Sequence, residues 1–151
     1  MLKSRSNNRF TDPEKPSLID LISRYKTDRE YPTDPNETPS SDEAHDVAAT
    51  LAGVKPAALF FIPNFDGIEI NEKKVMALAE KEGCTVIPLG STGKYERFTI
   101  ARKKQDAERL EALFSLTEKE FFTPKVEREI GYILGYNKDS IDRYIRKTYS
   151  K

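Results

Sequence analysis

The sequence lacks any apolar segment long enough to cross a membrane or to direct secretion. Its longest apolar run, Ala57 to Ile62, is far shorter than the roughly 20 residues that a membrane-spanning helix needs. The stretch from Met1 to Phe10 is polar and has no apolar core of the signal-peptide type. We therefore expect a cytoplasmic protein with no membrane partner.

Side chains that bind metals or form covalent intermediates are scarce. The chain has one cysteine, Cys84, and one histidine, His45. A single cysteine excludes an intramolecular disulfide and a thiolate metal cluster within one chain, and it suits a reducing compartment. Cys84 opens a predicted strand, where a thiol is typically a small buried hydrophobe, whereas His45 lies off the apolar stripe of a short helix, as solvated side chains do. The sequence therefore predicts no metal, no cofactor and no catalytic residue.

The chain also lacks a net charge, because 25 basic residues balance 25 acidic ones. No global field steers it towards nucleic acid or anionic lipid, so an electrostatic site requires local segregation of charge. With 151 residues, of which 37% are hydrophobic and 33% charged, the chain can bury one core but not two. We expect one domain with a tail.

Residues 1–54 are expected to form a flexible N-terminal arm. Proline, serine, asparagine, threonine and charge dominate it, and only Ser17 to Lys26 and Asp42 to Ala52 show helical spacing of apolar residues. Between these two short helices, Thr27 to Ser41 contains three prolines and almost no apolar side chain. Burial cannot offset the ordering entropy of such a segment, which predicts a proline-rich linker.

Residues 55–116 alternate between predicted strands and helices. The elements are a strand over Ala57–Ile62, a helix between Asn71 and Gly83, a hairpin of strands over Cys84–Leu89 and Tyr95–Arg102, and a helix over Asp106–Ser115. The order β-α-β-β-α resembles a ferredoxin-like split βαβ arrangement without its final strand. The fold class is therefore predicted to be α+β, with one small sheet.

The first strand needs cover on both faces, because it is apolar along its whole length. The helical stripes of the N-terminal arm are one source of that cover. The alternative source is a second copy of the chain, in a homodimer.

Residues 117–151 are predicted to form a helical hairpin packed on this core. Thr117 and Glu120 match a capping box, which predicts that a helix begins there. Thr123 and Pro124 are typical of the start of another helix, which Gly135 ends before the last helix begins.

The last two predicted helices carry the most specific motif. Gly131 lies within the first of them, Gly135 lies at the turn, and Ile141 follows in the second. This spacing resembles the helix-turn-helix of DNA-binding proteins, in which a small residue allows a close crossing, the turn glycine adopts a positive φ and a branched residue locks the pair. Ile130 and Tyr144, with Leu134, fall where that motif places core side chains. The resemblance covers about one seventh of the chain and implies binding of DNA or RNA.

Charge near the C-terminus is compatible with that implication, since residues 124–151 hold seven basic and four acidic side chains. The expected nucleic-acid contacts are polar or basic residues of the last helix: Lys138, Ser140, Arg143, Arg146 and Lys147. Asp139 and Asp142 lie among them and would repel a phosphate backbone.

Two functions remain open from the sequence. The more concrete hypothesis is a non-enzymatic protein that binds nucleic acid through the helix-turn-helix-like pair. The alternative is an interaction or assembly adaptor that docks a protein partner through the hairpin or the arm, without nucleic acid. An enzyme has the least support, and the only catalytic route left open is cofactor-free acid–base chemistry.

Overall fold

A computed structural model describes residues 16–31, 43–63, 70–119 and 122–150. In these residues, helices cover both faces of a three-stranded antiparallel sheet. The elements in chain order are α1 (Leu18–Asp28), α2 (Glu43–Leu51), β1 (Ala57–Ile62), α3 (Glu72–Glu82), β2 (Thr85–Thr92), β3 (Tyr95–Ala101), α4 (Lys104–Lys119), α5 (Pro124–Leu134) and α6 (Lys138–Tyr149).

The sheet has the order β1-β3-β2, and both outer strands pair antiparallel with β3. Ala57 of β1 and Thr85 of β2 both pair with Ala101 of β3. The two strands connected by α3 are therefore separated by a third strand, which is the split βαβ arrangement expected from the element order. The predicted α+β class is confirmed.

One face of the sheet is covered by the first three helices. Phe60 of β1 and Phe98 of β3 stack there, with ring centroids 5.1 Å apart and ring planes 12° apart. Leu18 and Leu21 of α1 and Val47 of α2 belong to the same buried cluster. The helical stripes of residues 16–31 and 43–54 thus supply the cover that the first strand was expected to need.

The opposite face is covered by α4 and α5. Leu110 and Leu113 of α4 are buried against Ala57 and Ala101 of the sheet, and Ile130 of α5 joins this second cluster. Because side chains alternate along a strand, neighbouring residues of β1 enter different clusters. The last two helices are therefore attached to the sheet through α5.

One predicted helix start does not occur in the structure. The prediction that a helix begins at Thr117 is wrong, because α4 continues to Lys119 and the Thr117 hydroxyl donates to the Phe114 carbonyl within that helix, at 2.8 Å. Threonine can bond backward inside a helix as well as cap one. Glu120, the other half of the predicted capping box, lies outside the described residues, as does the linker from residue 32 to residue 41.

The predicted start of α3 is confirmed, and it gives a direct test of local stability. Asn71 Oδ1 accepts a hydrogen bond from the Lys74 backbone N–H at 2.8 Å. We expect Asn71→Ala to lower the free energy of unfolding by about 1 kcal/mol, because that N–H loses its partner. Urea denaturation measures the change, and Asn71→Ser, which keeps an oxygen acceptor, should recover most of it.

Candidate functional site

The turn between α5 and α6 brings the two helices close together. Gly135 ends α5 with a φ of +98°, and the Asn137 side chain caps α6 by accepting from the Ser140 N–H at 2.7 Å. A Cβ atom added to Gly131 would lie 3.0 Å from Ile141 Cγ1, so a larger residue would push the helices apart. The packing roles predicted for Gly131, Gly135 and Ile141 are confirmed.

A cavity of about 270 Å³ lies between α5 and α6. Its wall is mainly apolar, with two tyrosine rings and one carboxylate as its polar groups. The residues that line it are Glu127, Ile130, Gly131, Leu134, Tyr136, Ile141 and Tyr144. An apolar pocket with a few convergent polar groups is the usual form of a small-molecule site.

Glu127 is the only acidic residue among those lining residues. Its carboxylate accepts a hydrogen bond from the Tyr144 hydroxyl at 3.1 Å and another from the Tyr149 hydroxyl. Burial, followed by the charge of Glu127, raises the pKa of Tyr144, and the hydrogen bond to Glu127 raises the pKa of Tyr149 to about 12. Both phenols therefore keep their protons near neutral pH and hold the carboxylate in place.

Behind the cavity lies a buried lysine. Lys55 is only 5% exposed, and its Nζ donates to the Ala57 carbonyl at 2.6 Å and to the Leu134 carbonyl at 2.8 Å. The same nitrogen lies 5.4 Å from the centroid of the Tyr136 ring. Burial lowers the pKa of Lys55 to about 8, against the opposing effect of the Asp46 carboxylate. Lys55 thus contacts a strand and two residues of the cavity wall.

Asp46 of α2 connects these residues to Tyr31, which follows the first helix. It accepts a hydrogen bond from the Tyr31 hydroxyl, and burial, with Asp46 as the next cause, raises the pKa of Tyr31. Burial and then Asp46 also raise the pKa of Tyr136 to about 12. Ionisable groups with shifted pKa values that gather beside a cavity are typical of functional sites.

His45 was predicted to be solvated and Cys84 to be buried, and both are half-buried in the structure. His45 is half-buried, and its Nδ1 shares a hydrogen bond with the Tyr25 hydroxyl at 2.5 Å, so the prediction of a solvated side chain is wrong. The Cys84 thiol is also half-buried, lies 3.9 Å from the Thr50 carbonyl, and has a pKa that burial raises. A thiol with a raised pKa is a poor nucleophile at neutral pH.

The residues predicted to contact nucleic acid lie in different environments on α6. Lys138 is exposed and donates to Asp142 at 2.9 Å, and Arg128 of α5 pairs with the same carboxylate. Ser140 is 2% exposed and therefore does not lie on the surface. Arg143, Arg146 and Lys147 are exposed, as charged helix residues usually are.

Sequence reasoning missed the cavity itself. Tyr144, expected in the helix-turn-helix core, is 45% exposed and donates to Glu127, so that expectation is wrong. Glu127, Lys55 and Tyr136 were assigned no role in a site. The available signal was weak, because it consists of one acid and one tyrosine on neighbouring helices.

Across residues 16–31, 43–63, 70–119 and 122–150, no three His, Cys, Asp or Glu side chains group in a way that could hold a metal ion. Within the same part of the chain, no helix is both long and apolar enough to span a membrane.

Comparison with known proteins gives one structural likeness. No protein-family model matches the chain, and no curated protein matches its sequence. The fold is similar to the crystal structure of the bacterial cysteine methyltransferase effector NleE, with a TM-score of 0.60 and 17% sequence identity. The likeness covers 89% of this chain and 76% of that one.

This likeness overturns the function predicted from the sequence. The prediction of a non-enzymatic protein that acts through nucleic-acid binding is wrong, and so is its adaptor alternative, because the matching fold is that of an enzyme. The helix pair that resembled a helix-turn-helix packs on the sheet through α5 and encloses a cavity. The pair is therefore part of the same folded unit as the sheet.

Proposed function

We propose that this protein is a methyltransferase that binds S-adenosylmethionine, the common biological methyl donor, in the cavity between α5 and α6. The observation that carries the proposal is the cavity wall, which combines Tyr136, Tyr144 and the Glu127 carboxylate. The likeness of the fold to a cysteine methyltransferase supports the type of reaction. Because one fold can host many functions, the chemistry of the wall must also fit the donor.

The wall suits a cation. Aromatic faces attract positive charge, and aromatic cages are a known means of binding onium groups. Glu127 adds a negative charge next to Tyr144, whose hydroxyl donates a hydrogen bond to the Glu127 carboxylate at 3.1 Å. When bound, the donor supplies a methyl group on a positively charged sulfur, which becomes a neutral thioether after transfer. Glu127, Tyr136 and Tyr144 are therefore the residues that would hold its charged end.

The size of the cavity fits only part of such a ligand. Its volume of about 270 Å³ is close to the lower limit of small-molecule sites, which is roughly 300 Å³. Tyr144 is 45% exposed, so the cavity is open to solvent on its side. The rest of the donor would extend through this opening. The apolar side chains of Ile130, Leu134 and Ile141 would keep water from the bound end.

The proposed acceptor is a cysteine thiol, because the structural neighbour is named as a cysteine methyltransferase, and we propose that this cysteine belongs to another protein. The nucleophile in such a transfer is the thiolate, which requires a reduced cysteine. A reducing compartment keeps cysteines in that state, so we place the reaction in the cytoplasm.

Titration of the full chain with S-adenosylmethionine and with S-adenosylhomocysteine, followed by calorimetry, tests the donor site. We expect both ligands to bind and Tyr144→Ala to weaken both, because half of the aromatic wall is lost. Tyr132→Ala is the matched control, since Tyr132 is a similarly exposed tyrosine of α5 that does not line the cavity. A dissociation constant of about 1 mM corresponds to a binding free energy of only about 4 kcal/mol. The absence of binding at that ligand concentration would contradict the proposal.

Transfer itself is tested with a methyl-labelled donor and a mixture of reduced cysteine-containing peptides. We expect label in the peptides, and none in peptides whose thiols were alkylated beforehand. Label that persists after alkylation would identify an acceptor other than cysteine, and an absence of label in both samples, despite donor binding, would argue against thiol methylation.

A further inference from the structure

The ammonium group of Lys55 contacts both the sheet and the wall of the candidate site. Lys55 lies between α2 and β1, and its ammonium donates to the carbonyl of Ala57 in β1 and to the carbonyl of Leu134 at the end of α5. The next residue, Pro56, is so close to Gly135 that an added Cβ there would lie 2.7 Å from Pro56 Cδ. The end of α5 is therefore held by two successive residues of the core.

Tyr136 is the cavity residue whose ring lies beside the Lys55 ammonium. Its ring centroid lies 5.4 Å from Lys55 Nζ, and its backbone N–H donates to the Gly131 carbonyl at 3.1 Å. Both Leu134, whose carbonyl Lys55 binds, and Tyr136 line the cavity. A displacement of Lys55 would therefore change two parts of the wall together.

A lysine is a costly residue for this position if it only fills space. Burying an ammonium requires compensation by hydrogen bonds and opposite charge, which two carbonyls and the Asp46 carboxylate provide here. An apolar side chain of similar length would avoid the desolvation cost, although it would leave the two carbonyls without this donor. The retained charge lies against an aromatic ring that forms part of a ligand cavity.

We propose that Lys55 is a positioning residue of this cavity, which fixes the end of α5 and the Tyr136 ring in the arrangement that receives the methyl donor. The inference rests on the proposed function for the identity of the ligand. The coupling between Lys55 and Tyr136 does not depend on the proposed function, because the contact exists without any ligand. Lys55 acts through Tyr136 and Leu134.

The titratable groups around Lys55 define the expected response to pH. From α2 the group is Asp46, from the segment after α1 it is the Tyr31 phenol bonded to Asp46, and from the α5–α6 turn it is the Tyr136 phenol. The pKa values of both phenols are raised above 10, whereas that of Lys55 is lowered to about 8. Loss of the Lys55 proton is therefore the change that Tyr136 should report near pH 8.

The test uses the full chain with ring-labelled [13C]tyrosine, in which the Tyr136 signal is assigned by its absence from Tyr136→Phe. We expect this signal to shift with a midpoint near pH 8 in the wild-type protein. In Lys55→Met and in Lys55→Arg the inflection should disappear, since a thioether does not titrate and a guanidinium stays charged. Lys73→Met, which replaces an exposed lysine of α3, should leave the inflection unchanged.

Ligand affinity separates positioning from simple support of the fold. We expect Lys55→Met to weaken S-adenosylhomocysteine binding about tenfold and Lys55→Arg to restore it to within about threefold, in samples shown to be folded by their cooperative unfolding. Loss of stability without loss of affinity would mean that Lys55 only supports the fold.

The outcomes distinguish the two proposals. A wild-type Tyr136 signal that stays constant within about one unit of pH 8 would overturn the role of Lys55, and this measurement does not depend on the folding of any Lys55 variant. Failure of the wild-type protein to bind either ligand would overturn the donor site instead, while the Tyr136 titration would still decide whether Lys55 positions that ring.

Discussion

Replacing Glu127 by Gln should weaken the binding of S-adenosylmethionine by about thirtyfold, or about 2 kcal/mol, and that of S-adenosylhomocysteine by less than about threefold. The two ligands differ in charge at sulfur, and among the described residues that line the cavity Glu127 is the only carboxylate. A full charge pair at about 4 Å contributes about 4 kcal/mol near a protein surface, and the open side of this cavity reduces that value. Calorimetric titration of both ligands measures the difference.

Glu129→Gln is the matched control for this change. Glu129 lies on the same helix, but its carboxylate accepts from Arg109 at 2.5 and 2.9 Å and does not line the cavity. We expect it to affect neither ligand by more than about twofold, because the pair is partly exposed. If Glu127→Gln weakened both ligands equally, its role would be to shape the wall and not to balance a positive charge.

Most of the fold was predictable because its signals are local. The starts of α1, α3 and α5 follow from Ser17, Asn71 and Thr123, whose side chains accept hydrogen bonds from backbone N–H groups three residues later. The ends of α3 and α5 follow from Gly83 and Gly135, which both adopt positive φ angles. Each of these features depends on a few neighbouring residues, so the sequence alone is sufficient to find it.

The error at Thr117 has a physical origin of the same local kind. A threonine followed three residues later by glutamate satisfies the capping pattern, yet the same hydroxyl can donate to a carbonyl in a continuing helix. Thr117 donates to Phe114. Packing of α4 on the sheet, through Leu110 and Leu113, helps to stabilise this helix, and no short pattern contains that information.

The contact between Lys55 and the cavity wall was not predictable because Lys55 is distant in sequence from the residues that line the cavity. Lys55 meets Leu134 and Tyr136 only after the sheet and α5 have packed, and no spacing rule relates residues so far apart. Tyr144 was assigned to a core because the helix-turn-helix resemblance placed it there. The motif predicted the contact between Gly131 and Ile141 correctly. Helix packing and ligand chemistry are separate properties, and the motif contains information only on the first.

The close contact between Gly135 and Pro56 joins the last two helices to the residues before β1, and Gly135→Ala should lower the free energy of unfolding by about 2 to 5 kcal/mol. A side chain at a φ of +98° is strained by about 1 to 2 kcal/mol. The new Cβ would also lie 2.7 and 2.9 Å from two atoms of the Pro56 ring, and overpacking of this kind costs about 1 to 3 kcal/mol. Urea denaturation at a constant m value measures the change.

Gly83→Ala separates the two contributions, because Gly83 also ends a helix with a positive φ, +78°, but has nothing within 4 Å of an added Cβ. Gly83→Ala should lower the free energy of unfolding only by the backbone strain at positive φ, about 1 to 2 kcal/mol. The difference between the two variants therefore measures the contribution of the Pro56 contact. Equal losses would show that α5 is not held against Pro56. Because Lys55 donates to Leu134 beside this contact, Gly135→Ala should also displace the Tyr136 signal, whereas Gly83→Ala, at the end of α3, should not.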